Sequence, residues 1–295
     1  MKDFSICLPI SLLLFALINL SSCTTDLQEL NESKTIKTLS NPNPENPLEI
    51  VGVLHNEALA SFMNEITTEF QNGEWDNIEY GSEEYIEQFS QTSFNALING
   101  SFETDLSQSK IKHIYKNMNL NEWSEIELYG ILSQTKNTLA KSKSTSKDKE
   151  FTTDLLNDIF EVLENSNSDD EALINLELVI SKNENLILSQ EWAENETYAL
   201  GAIAVAKHSL IFWKDFDFTS IEIQTNGKPE KSIIVGADIA GYVVGGVVGG
   251  VSGSFAGPAG TVVGVLGGKV GGAWIASSAA SAGIGIYKAW RSFFS

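Results

Sequence analysis

Three histidines, His55, His113 and His208, are the side chains best suited to proton transfer near neutral pH. None stands in a spacing that would close around a metal, such as two histidines one helical turn apart with a glutamate between them. His55 sits beside Asn56 and Glu57 in a helical pattern, where it reads as a core-edge residue with a hydrogen-bonded tip. His208, among Val205, Leu210 and Trp213, reads as packing. Asp215 and Asp217 flank Phe216 and could form a carboxylate pair for general acid-base work. With 39 acids in 295 residues, however, chance proximity is common. Asp169, Asp170 and Glu171 follow Ser168, which suits the start of a helix, where acid complements the backbone dipole. The run lacks the glycine and the terminal glutamate of a calcium loop. No nucleophile elbow, phosphate-binding loop or dinucleotide fingerprint is present. The expectation is a chain that is not an enzyme, with no catalytic residue, metal or cofactor.

The elements that carry these residues read as helices. Residues 23–46 are polar and end in Asn41-Pro42-Asn43-Pro44, a tether that cannot hold a helix. Asn46 can cap, and Pro47 suits a first turn. Ile50, Val51, Leu54, Ala58, Phe62, Ile66 and Phe70 then recur at spacings of three and four. The same periodicity predicts further helices near 82–98, 105–117, 121–140, 150–164, 169–181 and 189–214. The fold class expected is all-α: an acidic helical domain over 47–216 with six or seven helices, a linker over 217–231, and a separate tail over 232–295. The segment 141–150, KSKSTSKDKE, reads as a solvated loop or a charged helix end. Residues 220–224 alternate and precede Asn226-Gly227, which fits a small hairpin or a linker.

The tail is unlike the rest. Sixteen of the 23 glycines lie in 236–285. Small residues step by four along Ala237, Gly241, Gly245, Gly249, Gly253 and Gly257, then along Gly260, Gly264, Gly268, Gly272, Ala276 and Ala280, with Pro258 between the two ladders. Such seams let two helices approach closely, with a right-handed crossing. The pattern resembles the glycine-zipper segments of bacterial envelope proteins and the ladders of pore-forming peptides and two-peptide bacteriocins. The two ladders around one turn read as a helical hairpin that inserts into a membrane or packs against protein; a valine-glycine run is also compatible with a disordered or β-aggregating segment. Residues 241–272 hold 13 glycines. Their propensity deficit of roughly 10 kcal/mol makes a free helix in water untenable. Lipid or burial against protein must supply the rest. Lys269 lies within the second ladder; it would line a polar lumen or snorkel, or else mark a hairpin that does not span the bilayer. Tyr287, Trp290, Phe293 and Phe294 suit interfacial anchors.

The start of the chain points to export. Lys2 precedes an apolar run from Phe4 to Leu20, then Leu20-Ser21-Ser22-Cys23. This resembles the lipobox of bacterial lipoproteins. The resemblance implies that residues 1–22 are a signal peptide and that Cys23 becomes a lipid-modified N-terminus carrying palmitate-type acyl chains. More than one acyl chain gives stable attachment. Cys7 would leave with the signal. No aspartate follows Cys23, so an outer-membrane or surface location in the cell envelope is expected over the inner membrane. Net charge is −20. The first 22 residues are neutral and 232–295 carry +2, which leaves −22 on residues 23–231. Such a body repels nucleic acid. The partners expected are membrane lipid and, through the hairpin, further copies of the chain. Finally, Val51-Gly52-Val53-Leu54-His55-Asn56, with Tyr198-Ala199-Leu200-Gly201-Ala202 through Lys207 and Trp213, resembles a group of Bacteroidota lipoproteins that pair a VGxLHN-like helical region with a glycine-rich C-terminus. It implies a shared structural or binding role for His55 and Asn56, and brings no activity.

Overall fold

The computed structural model describes residues 43–75, 77–79, 82–100, 107–118, 128–193, 196–217 and 231–248. Cys23, most of the tether, residues 218–230, Lys269 and the ladder from Gly249 to Gly272 lie outside them. Among the described residues there are eight helices and no strand. They are α1 Glu49–Gln71, α2 Glu83–Asn99, α3 Gln108–Met118, α4 Leu128–Lys141, α5 Ser146–Asn165, α6 Asp169–Leu188, α7 Tyr198–Asp215 and α8 Lys231–Val248.

Helix starts follow the local chemistry. Ser82, Thr145 and Ser168 each accept a hydrogen bond from the backbone N–H three residues on, opening α2, α5 and α6. Asn46 acts two residues ahead of the α1 cap. Its Oδ1 accepts from Leu48 N at 2.9 Å, and its Nδ2 donates to Leu200 O at 3.1 Å, tying the entry of α1 to α7. Segment 141–150 forms a charged helix end. The Lys149 ammonium donates to Ala140 O and Ser142 O, closing α4. α6 runs seven residues beyond its expected end, to Leu188. Beyond 181 the helix is held because Asn183 turns inward to Asp158 Oδ2 at 3.0 Å and Ile187 is buried.

Packing is arranged around α7. Thirteen of its 18 residues are buried, so apolar contact surrounds it, as for a central helix. It packs against α1, α5, α6 and α8. Gly52 of α1 makes the closest approach: a Cβ there would lie 2.4 Å from Ala204 O. A second core joins α1, α2 and α3, where Phe62, Trp75, Tyr85, Phe89 and Tyr115 meet edge to face, tilted or stacked. Glu69 is buried beside it, and its Oε2 accepts from Trp75 Nε1, Gln88 Nε2 and Thr92 Oγ1.

α8 is the first part of the segment expected as a separate tail, and it is a core helix of the body. It packs on α7, α4, α5, α3 and α6, and every residue from Ile234 to Gly246 is buried. Gly241 and Gly245, expected as a seam toward lipid or a second helix, are covered by this chain. The energetics agree. Four glycines, at 236, 241, 245 and 246, cost about 3–4 kcal/mol in helix propensity. Burial of Ile234, Val235, Ile239, Val243 and Val244 contributes roughly 8–15 kcal/mol, an upper bound set against an extended chain. Burial wins. Among the described residues no helix is long and apolar enough to cross a membrane.

Candidate functional site

The polar groups of the core converge where α1, α7 and α8 meet. Asp238 of α8 is fully buried. Ser209 Oγ donates to its Oδ2 at 2.5 Å, and Trp213 Nε1 donates to the same oxygen at 2.8 Å. His55 Nε2 approaches Oδ1 at 3.4 Å. The positions follow from helical spacing. Ser209 and Trp213 are one turn apart on α7, so both face the α8 groove. His55 and Gly52 share the α1 face that meets α7.

The network continues outward. His55 Nδ1 lies 3.1 Å from Asn56 Oδ1, and Asn56 Nδ2 donates to His208 O at 2.7 Å. The amide orientation is set by that carbonyl, so Asn56 Oδ1 is an acceptor and His55 Nδ1 carries the hydrogen. His208 Nε2 meets Glu49 Oε1 at 2.8 Å, and Lys207 Nζ bridges Glu49 Oε1 at 3.1 Å and Glu184 Oε1 at 3.0 Å. Burial pushes the Glu49 carboxyl up. Hydrogen bonds from His208, the Asn43 backbone and Lys207 outweigh it and hold the group below its ordinary value. Burial likewise pulls Lys207 down, and Glu184 and Glu49 overcome it, raising the ammonium.

The chemistry of the arrangement is that of a buried polar junction between helices. In a hydrolytic relay the imidazole lies between serine and carboxylate and takes the serine proton. Here the carboxylate lies in the middle, and Ser209 and His55 both turn toward it. All three side chains are fully buried. Such a cluster fixes one helix against two others. Removing a member leaves the remaining polar groups without their partners in a medium that penalises them.

The expected residues distribute as follows. His55 is central to the cluster, not at the core edge; the buried face of α1 takes in His55 and leaves Leu54 half-exposed. Asn56 links His55 to α7. His208 is buried as expected and also binds Glu49. His113 is exposed on α3, and Asp215 and Asp217 are exposed at the end of α7. Among the described residues, no three His, Cys, Asp or Glu side chains are grouped to hold a metal ion. Asp169 does more than favour its own helix start. Its carboxylate accepts from Lys231 N at 3.1 Å and Ser232 N at 2.9 Å, closing the start of α8. Asp148 does the same for α7, accepting from Thr197 N, Tyr198 N and Ala199 N at 2.8–3.1 Å. Sequence reasoning missed Asp238, Ser209, Trp213, Glu49 and Asp148 as partners. Asp238 was the one available signal, an acid alone in an apolar run.

No family model, curated protein or solved structure matches this chain.

Proposed function

We propose that this chain is a lipid-anchored, non-enzymatic protein of the bacterial cell envelope, attached through Cys23, whose glycine-rich C-terminal segment associates with membrane. The observation that supports the reading is the all-round burial of Ile234 to Gly246. A helix with this composition demands apolar surroundings on every side, and only a protein core or a bilayer provides them. The acidic body supplies them for the first part of the segment. The second ladder, Gly260 to Gly272, has the same composition, and its surroundings would be lipid, with Lys269 facing water or snorkelling. The chain would sit at the outer membrane or cell surface, held by its acyl chains despite its charge.

The test is carbonate extraction with protease protection on a Cys23→Ser variant, which separates the segment from the anchor. Retention of the C-terminal fragment in the membrane fraction is expected, along with its loss in a Gly264→Leu/Gly268→Leu variant. Complete release of the Cys23→Ser chain into the soluble fraction would refute membrane association. A second reading, that the ladder joins copies of the chain or docks a protein partner, is favoured by the cover of Gly241 and Gly245 by protein. Stable oligomers of the Cys23→Ser chain, without membrane retention, would select it.

A further inference from the structure

We propose that Asp238 and its donors are a fastening that keeps α8 docked in the body and so withholds α8 itself from a lipid bilayer; this rests on the membrane reading given above. Apolar packing alone would hold a helix as smooth as α8 in several registers, because its glycines and alanines offer little relief. Polar contacts choose one. They come from three neighbours and span the first two-thirds of the helix. Asp169 of α6 receives Lys231 N and Ser232 N. Ser209 and Trp213 of α7 and His55 of α1 converge on Asp238. Further on, the Tyr242 hydroxyl sits directly over Gly201 of α7, where a Cβ would come within 1.9 Å of it.

A two-state element needs a group whose free energy differs between the states. Asp238 is such a group. Docked, its oxygens meet Ser209, Trp213 and His55. In hydrocarbon it would meet none of them and would oppose insertion. One side chain therefore favours the docked state and disfavours the inserted one. Lys231 is the other charged residue in the described part of α8, and it stands at the helix start, where its ammonium reaches Lys214 O.

The experiment uses the chain from residue 23 onward with Cys23→Ser and a reporter, Val243→Cys, at a fully buried position of α8. Maleimide labelling then reads α8 exposure, and flotation with phosphatidylcholine vesicles reads association. The fastening is weakened by Ser209→Ala with Trp213→Phe. A Leu155→Ala chain, altered in the α5 core and compared at equal global stability by urea titration, serves as control. Labelling at 243 is expected to be about tenfold faster in the fastening variant than in the control, the order of effect for lost bonds to a carboxylate. Floated protein should rise with it. Equal labelling in the two chains would overturn the fastening. Faster labelling with no flotation of any variant would leave the fastening standing and sink the membrane reading instead. Should the double variant not fold, Ser209→Ala alone is read in the same way.

Discussion

Gly52 offers the sharpest test of how α1 and α7 are joined. A Cβ built there would lie 2.4 Å from Ala204 O, 2.8 Å from Ala204 C and 2.4 Å from His208 Cδ2. Two of those atoms are backbone and cannot rotate away. Ordinary contact needs 3.4 Å, so α1 must move away by about 1 Å. That shift acts on hydrogen bonds already set at short range: Asn56 Nδ2 to His208 O at 2.7 Å and His208 Nε2 to Glu49 Oε1 at 2.8 Å. Overpacking costs about 1–3 kcal/mol, and each stretched bond adds up to roughly 1 kcal/mol. Better helix propensity returns about 1 kcal/mol. Gly52→Ala should therefore destabilise by about 2–3 kcal/mol. Urea denaturation of the Cys23→Ser chain, followed by far-UV circular dichroism, should show a midpoint lower by about 1 M at unchanged slope. Gly236→Ala is the contrast. Its Cβ would meet the Leu163 Cδ1 methyl at 2.6 Å, the far end of a side chain that can turn. Its effect should stay within about 0.5 kcal/mol. A Gly52→Ala chain as stable as the original would refute the backbone contact and the reading of the α1–α7 junction built on it.

Gly201→Ala should be strongly destabilising, because its Cβ would meet the Tyr242 hydroxyl at 1.9 Å; adding Tyr242→Phe should recover part of the loss in the same urea assay, and full additivity of the two changes would refute the contact. Glu196 is held down to about 2 by the Ala193 backbone N–H, the Thr145 hydroxyl and Lys147. A carboxyl lowered in the folded chain contributes stability above its ordinary value of 4.5 and loses it as pH falls through about 2. Glu196→Gln should flatten the stability profile across that window, and an unchanged acid limb would count against these bonds. Asp148→Ala removes the acceptor for three N–H groups at the start of α7 and should cost roughly 3 kcal/mol by urea titration; a cost below about 0.5 kcal/mol would show that water satisfies them equally well.

Much of the helical frame was legible because its signals are local. Apolar spacing of three and four marked α1 through α7, although α7 starts at Tyr198 and not at 189, and Ser82, Thr145 and Ser168 stand where caps belong. The end of α6 was placed short because what holds its last turns, Asp158 against Asn183, lies 25 residues back in the chain. The cluster was hidden for the same reason on a larger scale. His55 and Asp238 are far apart in the chain, and periodicity carries no information about which faces meet. α8 was the instructive case. Its composition states a need for apolar surroundings, and a bilayer and a protein core meet that need equally well. The acid at 238 separates the two only once its donors, Ser209 and Trp213 on α7, are placed beside it. The role of His55 and Asn56 was visible only as a position on α1; what they hold lies on α7 and α8.

The closures by Asp148 and Asp169 set an order on synthesis. Each acid belongs to a helix that leaves the ribosome earlier than the one it receives: Asp148 precedes α7, and Asp169 precedes α8. The last described helix thus enters a place prepared for it. A chain truncated before residue 231 would not be a trimmed, self-sufficient domain. It would lack the helix that now covers α7 and the carboxylate that Ser209 and Trp213 now meet.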